Sequence, residues 1–341
     1  TFWLVGVASP LLVDSQLLIA HTLGAALAVA AVLAADSART ATRGWMLLWS
    51  ASIAGFVALL ALVRTEGLFL APGLALAAFI VCRGDRLRAG IISAAAFGGV
   101  VVALVVDRFA RRAVLGVIQP YPGIVTVPDE SFLAGRAHSM FTTLLRPGYL
   151  GGTGGLLMVA MAGCLIISLV ALLRSKPDPT MALVFFLLAA VAALVRGVVI
   201  SSDSIPGLLI AFPAMWLGLI GLGRGVWADD RRRLLAVTSA VTILGVIATQ
   251  YSVGGTVEWG GRYFAFVIPV VAPLAALGLQ SLWHRFEPGT RPIAAGAFVV
   301  MVLALAVLGV RDQRATQRGA STFGSAGTLA GNGIGPDTVM G

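Results

Sequence analysis

The feature that most constrains this chain is a succession of apolar segments, each close to 20 residues long, along nearly its whole length. An α-helix of about 20 residues spans the roughly 30 Å hydrocarbon core of a bilayer. A soluble chain of 341 residues needs a polar surface, and this one, 58% apolar and 11% charged, lacks the side chains to build it. The sequence therefore predicts an all-α protein, a polytopic bundle of about 10–11 transmembrane helices.

The apolar segments also predict where the individual helices lie. A partial helix at 1–12 is followed by candidates at 17–35, 45–63, 67–83, 89–106, 151–173, 180–199, 204–223, 234–252, 263–282 and 292–310. This gives a transmembrane domain at 1–310, interrupted by a long external loop at 107–150, and an external tail at 311–341. The tail is rich in Gly, Ser, Thr and Ala, which is typical of a linker or of the start of a truncated extracytoplasmic domain. Since Thr1 lies inside an apolar stretch, we expect at least one helix upstream.

Lys and Arg in the short loops predict the orientation of the bundle. One set of alternate loops holds Arg39, Arg43, Arg83, Arg86, Arg88, Arg174, Lys176, Arg224, Arg231, Arg232, Arg233, Arg285 and Arg291. The opposite set holds only Arg64, Arg196 and Arg262, so the first set is predicted to be cytoplasmic. The unusual polar segments then share the external face. We expect a multi-pass protein of the plasma membrane whose active face is extracytoplasmic.

Composition excludes several other classes of function. The net charge of +9 does not indicate a nucleic-acid partner, because the basic residues flank apolar segments and form no continuous face. Cys82 and Cys164 both lie in apolar segments, and the three histidines are scattered without ligand spacing. The sequence therefore predicts neither a disulfide framework nor a metal site built from these residues.

The first candidate site is the corner Arg64-Thr65-Glu66-Gly67, which joins two apolar segments with almost no loop. A guanidinium and a carboxylate at a membrane corner are costly unless they are paired or used. The alternative is a purely structural junction, in which Glu66 favours a helix N-terminus and Arg64 extends to the membrane surface.

The second candidate site is the segment at 257–263. Gly260 and Gly261 permit close approach of a ligand, and the planar fork of Arg262 suits a phosphate. Tyr263 would line a sugar site. The alternative is an aromatic belt at the membrane interface with an external arginine.

Two further segments hold external polar residues. Asp14, in the corner at 9–16, would bind a metal ion or a sugar hydroxyl, or would cap the helix that follows. His21 is interpreted as a hydrogen-bonding residue of the bundle rather than a base. In the long loop, Arg108, Arg111 and Arg112 fall on one helical face, which favours an interfacial helix that meets anionic headgroups.

Three segments, taken in order and on one predicted face, resemble the GT-C class of membrane glycosyltransferases. Residues 61–72 are similar to the helix pair that this class joins at an R-x-E corner, and residues 260–269 to its late G-x-R-Y helix start. Residues 8–23 are similar to the helix–corner–helix that follows its first external loop. The resemblance is to the bacterial group like dolichyl-phosphate-mannose mannosyltransferases and arabinofuranosyltransferases. One departure is His21, since the class often has an acidic residue near that position.

The resemblance implies an enzyme that transfers a sugar from a polyprenyl-phosphate donor to an extracytoplasmic glycan, glycolipid or protein. Its catalytic base would be a carboxylate in the first external loop, which would lie upstream of Thr1, so the catalytic residue of this chain is unknown. Positive charge must also stabilise the departing phosphate, and we assign this role to Arg262, with Arg64 in support or paired with Glu66. Glu66, Glu258 and Asp14 would hold sugar hydroxyls or a divalent cation, which leaves the cofactor open.

Two alternatives remain at this point. A transporter or flippase of lipid-linked or small solutes would place ionisable residues near mid-membrane, where the helices of this chain hold almost none. A polysaccharide ligase or polymerase would have similar loops and would also make a glycosidic bond.

The assignment of Arg262 is testable. Arg262→Ala should lower sugar transfer by the full-length protein roughly 100-fold or more, as loss of a group that stabilises developing negative charge does. Transfer is measured with a radiolabelled polyprenyl-phosphate sugar. Unchanged transfer would remove Arg262 from the phosphate site.

Overall fold

The computed structural model of this protein describes residues 21–115, 134, 137, 140–146, 152–199, 207–249 and 262–331. The eleven α-helices of this part of the chain are α1 (His21–Thr40), α2 (Arg43–Val63), α3 (Leu70–Val81), α4 (Arg86–Leu115), α5 (Thr153–Leu173), α6 (Pro179–Leu194), α7 (Leu208–Ala211), α8 (Pro213–Leu222), α9 (Asp230–Thr249), α10 (Ile268–Trp283) and α11 (Arg291–Gly331). Short 3-10 helices cover Thr65–Phe69, Gly223–Trp227 and Arg262–Phe264, and π-helical turns cover Phe141–Leu145 and Val195–Val199. The predicted all-α helical bundle is confirmed for these residues.

Among the described residues, six helices are long and apolar enough to cross a membrane. They are α1, α2, α4 up to Ala113, α5, α6 with its extension to Val198, and α11 up to Arg311. The segment Thr65–Val81 and α10 are apolar but shorter. This is therefore a multi-pass membrane protein.

Each predicted range from 17–35 to 292–310 contains helix where its residues are described. The partial helix at 1–12 and residues 17–20, 151, 204–206 and 250–252 lie outside the described residues. Two helices extend furthest beyond their predicted ends. α4 continues beyond residue 106 to Leu115, and α11 continues through the Gly- and Ser-rich tail to Gly331. With 30 residues, α4 is about 45 Å long, well beyond the hydrocarbon core.

The predicted span at 204–223 is broken into α7 and α8 at Pro213. Proline has no N–H to donate to the carbonyl four residues earlier, and its ring clashes with that carbonyl. The carbonyl in question belongs to Leu209, and the indole Nε1 of Trp216 donates to it at 2.9 Å. The side chain thus replaces the hydrogen bond that the helix loses, as a break inside a bilayer requires.

The helices form two groups that share one core. In the first, α2 packs on α1 and α4, and α3 packs on α4 and α9; in the second, α6 packs on α5 and α11, and α8 packs on α10. Contacts of α10 with α9 and α1 join the groups. The core is built from alanine together with large apolar side chains such as Leu60, Leu165 and Phe266.

The tightest helix crossing in this part of the chain is that of α8 with α10. A Cβ atom on Gly218 would collide with the backbone oxygen of Ala275, and one on Gly278 with the backbone oxygen of Gly218. Close approach of two backbones through small residues is the main way in which membrane helices gain packing energy. The two glycines therefore fix α8 and α10 against each other.

The helix ends predicted to be cytoplasmic do come together at one end of the bundle, called the basic end below. The Arg39 guanidinium lies 3.5 Å from the Asp230 carboxylate, and Arg231 pairs with Asp36 at 2.9 Å, which connects the start of α9 to the end of α1. Nη1 of Arg88 donates to the carbonyls of residues 38, 39 and 41. That this end faces the cytoplasm remains a prediction.

A cap at the basic end starts α4. The backbone N–H of Arg88 donates to the Asp85 carboxylate at 2.9 Å, and its guanidinium donates to the same carboxylate. The backbone N–H, followed by the guanidinium, holds the pKa of Asp85 below its usual value. The capping carboxylate therefore stays ionised at neutral pH.

The glycine crossing gives a stability prediction. Gly278→Ala should destabilise the purified protein by about 1–3 kcal/mol, the usual cost of overpacking, seen as a lower midpoint of thermal unfolding in detergent. The matched control is Gly163→Ala, because a Cβ atom there meets nothing within 4 Å. If both variants unfold at the same temperature, the crossing is not a tight contact.

Candidate functional site at the end opposite the basic end

The site lies where α2 ends and α1 and α10 begin. α2 stops at Val63 because Arg64 leaves helical geometry, with φ −143° and ψ 116°. The chain then forms the 3-10 helix Thr65–Phe69, whose first turn holds Glu66. Backbone hydrogen bonds from Arg64 N to Leu60 O (2.7 Å) and from Gly67 N to Arg64 O (2.9 Å) close the corner.

The Arg64 guanidinium connects this corner to α1. Its Nη1 donates to Nε2 of His21, and its Nη2 donates to Oε1 of Glu66 at 3.2 Å. A guanidinium has no acceptor atom, so Nε2 of His21 must be the acceptor and the ring proton must lie on Nδ1. His21 is thus neutral in this arrangement.

Burial makes this cluster unusual for a membrane corner. His21 is only 2% exposed, and the side chains of Arg64 and Glu66 are 12% and 18% exposed. A charged pair with so little access to water is expensive unless its hydrogen bonds are satisfied. His21 and Glu66 together satisfy two of the five N–H groups of Arg64.

The aliphatic stem of Arg64 packs into the notch between α1 and the start of α10. A Cβ atom on Gly24 would lie 3.2 Å from Cγ of Arg64 and 3.8 Å from Cβ of Phe266. Phe266 is 1% exposed and belongs to the main core. Packing of the stem therefore fixes the position of the guanidinium, together with its hydrogen bonds.

The alternative interpretation of this corner, a purely structural helix junction, agrees only in part with the geometry. Glu66 does lie in the first turn of a helix, as that alternative predicts. Arg64 differs, because it turns inward to His21 instead of extending to the membrane surface. The interpretation of His21 as a hydrogen-bonding residue of the bundle agrees with its contact to Arg64.

The second predicted segment contributes mainly packing to this end. Tyr263, Phe264 and Phe266 are 9%, 3% and 1% exposed, and all belong to the main core. The backbone of Arg262 begins a 3-10 helix, while its side chain is outside the description. Asp14 and Glu258 also lie outside the described residues, so their assignments stay predictions.

The arginines at 108–112 lie on the continuation of α4. The helix runs without a break from Arg86 to Leu115, and Arg111 pairs with Asp107 at 2.8 Å. Arg108 and Arg112 are exposed. The segment that the sequence assigned to the external loop is thus helical up to Leu115.

Arg196 is a buried cation at the same end of the bundle. The sequence predicts it only as a basic residue of a short loop. It is 3% exposed and lies in the π-helical turn Val195–Val199 at the end of α6. A Cβ atom on Gly154 would lie 2.9 Å from its Nε, so the guanidinium packs against the start of α5. Single π-turns are frequent at functional sites. The sequence feature that points to Arg196 is an arginine next to Gly197 at the end of an apolar run.

Metal binding has no obvious ligand set in the part of the chain that the structure describes. No group of three or more His, Cys, Asp or Glu residues lies close enough there to hold an ion. A divalent cation would need Asp14, Glu258 or the substrate as ligands, which keeps the cofactor open.

Comparison with known proteins gave no match to any family model, curated protein or solved structure. The site must therefore be interpreted from its own geometry.

The contact of His21 with Arg64 gives a second prediction. His21→Phe should destabilise the protein by about 1–3 kcal/mol, because a buried guanidinium N–H loses its acceptor. Thermal unfolding in detergent measures this. His284→Phe is the matched control, since His284 is exposed at the basic end and should change stability little. A loss of equal size in both variants would contradict the role of His21.

Proposed function

We propose that this protein is a membrane glycosyltransferase of GT-C type. It would transfer a sugar from a polyprenyl-phosphate donor to an acceptor on the extracytoplasmic face. The observation that carries the proposal is the Arg64 guanidinium, held at one end of the bundle by His21 and Glu66. A cation in such a place suits the phosphate of a lipid-linked sugar, which reaches the enzyme through the bilayer.

The choice of partners around Arg64 supports binding of an anion. His21 is neutral in this arrangement, so it orients the guanidinium without cancelling its charge. Glu66 makes a single contact at 3.2 Å, longer than a strong charge-assisted hydrogen bond. A donor phosphate would compete with Glu66 for Arg64, and the released carboxylate would then be available to accept hydroxyl groups of the sugar.

Developing charge explains why an enzyme would need this arrangement. When the glycosidic bond to phosphate breaks, negative charge grows on the departing oxygen, and a cation already in position stabilises it without reorganising. Proton removal from the acceptor hydroxyl requires a separate base. Arg262 would share the phosphate with Arg64.

The distribution of charge in the bundle favours an enzyme over a transporter. In the described part of the chain, the ionisable side chains of the membrane-crossing helices lie at helix ends, as Arg43, Arg196 and Arg291 do. A transporter of charged or lipid-linked substrates more often has such groups near the midplane. A polysaccharide ligase or polymerase fits the same geometry. It differs from the proposed glycosyltransferase in the acceptor that it uses.

The test uses the full-length protein in proteoliposomes with radiolabelled polyprenyl-phosphate mannose or polyprenyl-phosphate arabinose and a cell-envelope extract as acceptor. Arg64→Ala should lower covalent transfer roughly 100-fold, and Arg64→Lys should recover little, because a point charge does not replace a planar fork. Arg43→Ala, an exposed arginine at the basic end, should transfer like the wild type.

The outcomes separate the candidate functions. Labelled polymer or lipid that depends on Arg64 supports the glycosyltransferase. Movement of intact donor across the membrane without a covalent product would replace it with a transporter or flippase. Transfer of a preassembled glycan, but of no single sugar, would replace it with a ligase or polymerase.

A further inference from the structure

A second site lies in the other half of the bundle, near the basic end. A cavity of about 340 Å³ lies between the last turns of α5 and α10 and the first turns of α11. Its lining includes Leu165, Leu172, Phe186, Trp283, Phe286 and Phe298. Its volume is in the range of small-molecule sites. Because the cavity lies at the basic end, it is separate from the Arg64 corner.

The residues that line the cavity favour an apolar ligand. The polar groups of the lining are the Ser168 hydroxyl, the Gln280 amide and the indole N–H of Trp283, and the Ser168 hydroxyl already donates to the Ala182 carbonyl at 2.8 Å. Gln280 is exposed and lies at the edge. Water needs two to four polar partners to occupy a cavity stably, so this one favours hydrocarbon.

Helix packing opens the cavity toward the bilayer. α10 and α11 are joined by a short turn, but α11 packs mainly on α6, whereas α10 packs on α8. The two consecutive helices therefore diverge. Gln280 on α10 and Val299 on α11 both line the cavity and are both exposed on the outside of the bundle. A lipid chain could enter sideways between them.

Two arginines lie at the rim of the cavity. Nη1 of Arg285 donates to the carbonyl of Leu172 at 2.8 Å, and Nε of Arg291 donates to the carbonyl of Phe286 at 3.2 Å. Leu172 and Phe286 are both lining residues, which places the two guanidinium groups beside the hydrocarbon space.

Among the described residues, these two charges have no carboxylate partner, unlike the arginines at the start of α9. In the described part of the chain, Arg231, Arg232 and Arg233 each pair with an aspartate, whereas neither Arg285 nor Arg291 forms an ion pair. Two cations without anionic partners beside an apolar cavity match a ligand with a phosphate at one end and a hydrocarbon chain at the other.

We propose that the cavity binds one acyl chain of an anionic phospholipid, whose phosphate lies on Arg285 and Arg291. The site is independent of the proposed transfer reaction, because it uses no residue of the Arg64 corner. It adds a specific lipid to the chain as a structural partner.

Trp283 provides the probe, since it lines the cavity. The purified full-length chain is titrated in mixed micelles with phosphatidylglycerol or phosphatidylcholine that carries brominated acyl chains, which quench tryptophan fluorescence on contact. The chain has 7 tryptophans, so the Trp283 signal is the wild-type emission minus that of Trp283→Phe. Brominated phosphatidylglycerol should quench this signal at roughly 30-fold lower mole fraction than phosphatidylcholine, as two basic residues near an anionic lipid predict.

Two variants test the two halves of the site. Arg285→Gln with Arg291→Gln should bring phosphatidylglycerol to the level of phosphatidylcholine. Arg43→Gln with Arg224→Gln, two exposed arginines at the same end, should leave the preference intact. Ala295→Phe fills the cavity and should abolish quenching by both lipids.

Equal quenching by the two lipids in the wild type would overturn the proposal, because it would mean generic contact with the bilayer. A Trp283 signal that neither lipid quenches would also overturn it, and would place a protein segment in the cleft. Both results come from the wild type and Trp283→Phe, so they do not depend on whether the arginine variants fold.

Discussion

The constraint on which this structure depends is that a bilayer offers no hydrogen bonds to a peptide group. Every N–H and C=O inside the hydrocarbon must find a partner within the protein, which leaves helices as the solution for a chain of this pattern. The break at Pro213 illustrates the rule, because the indole of Trp216 supplies the donor that proline removes from Leu209. The same constraint drives the charged side chains to helix ends, where they can meet each other, a backbone carbonyl or water.

The two ends of the bundle satisfy their charges in different ways. At the basic end, Asp36, Asp230 and nearby arginines form exposed or half-buried ion pairs between α1 and α9. Such pairs are individually weak, but they connect elements far apart in sequence. At the opposite end, Arg64 is nearly buried and is held by a neutral histidine and one carboxylate. A buried guanidinium with N–H groups still free to donate can bind an anionic ligand, whereas the charge of a surface ion pair is already balanced.

Helix positions could be predicted from the sequence because a 20-residue apolar run has few other physical solutions. The ends were less predictable. α4 continues beyond its apolar run because Asp107 and Arg111 stabilise a further turn, and hydropathy carries no such information. The corner at Arg64 was predicted from the cost of its two charges. Its contact with His21 was not, since the two residues lie 43 positions apart and only the tertiary packing of α1 on α2 brings them together.

The burial of Arg196 and the position of the apolar cavity could not be predicted from the sequence for similar reasons. An arginine at the end of a hydrophobic run normally extends to the membrane surface, and only the packing of Gly154 against Arg196 reveals that this one is buried. The cavity follows from the choice of helix partners, which put α11 on α6 and left a space beside α10.

One consequence concerns α10. Its beginning lies beside Phe266, where Arg64 packs, and its last turn contributes Trp283 to the cavity. It is 16 residues long, a rod of about 24 Å, and Gly278 clamps it to α8 near its far end. Pro273 lies inside its first half and is the point at which such a helix bends most readily. A tilt at the Arg64 end would therefore be taken up at Pro273 before it reaches the glycine crossing with α8 and the cavity.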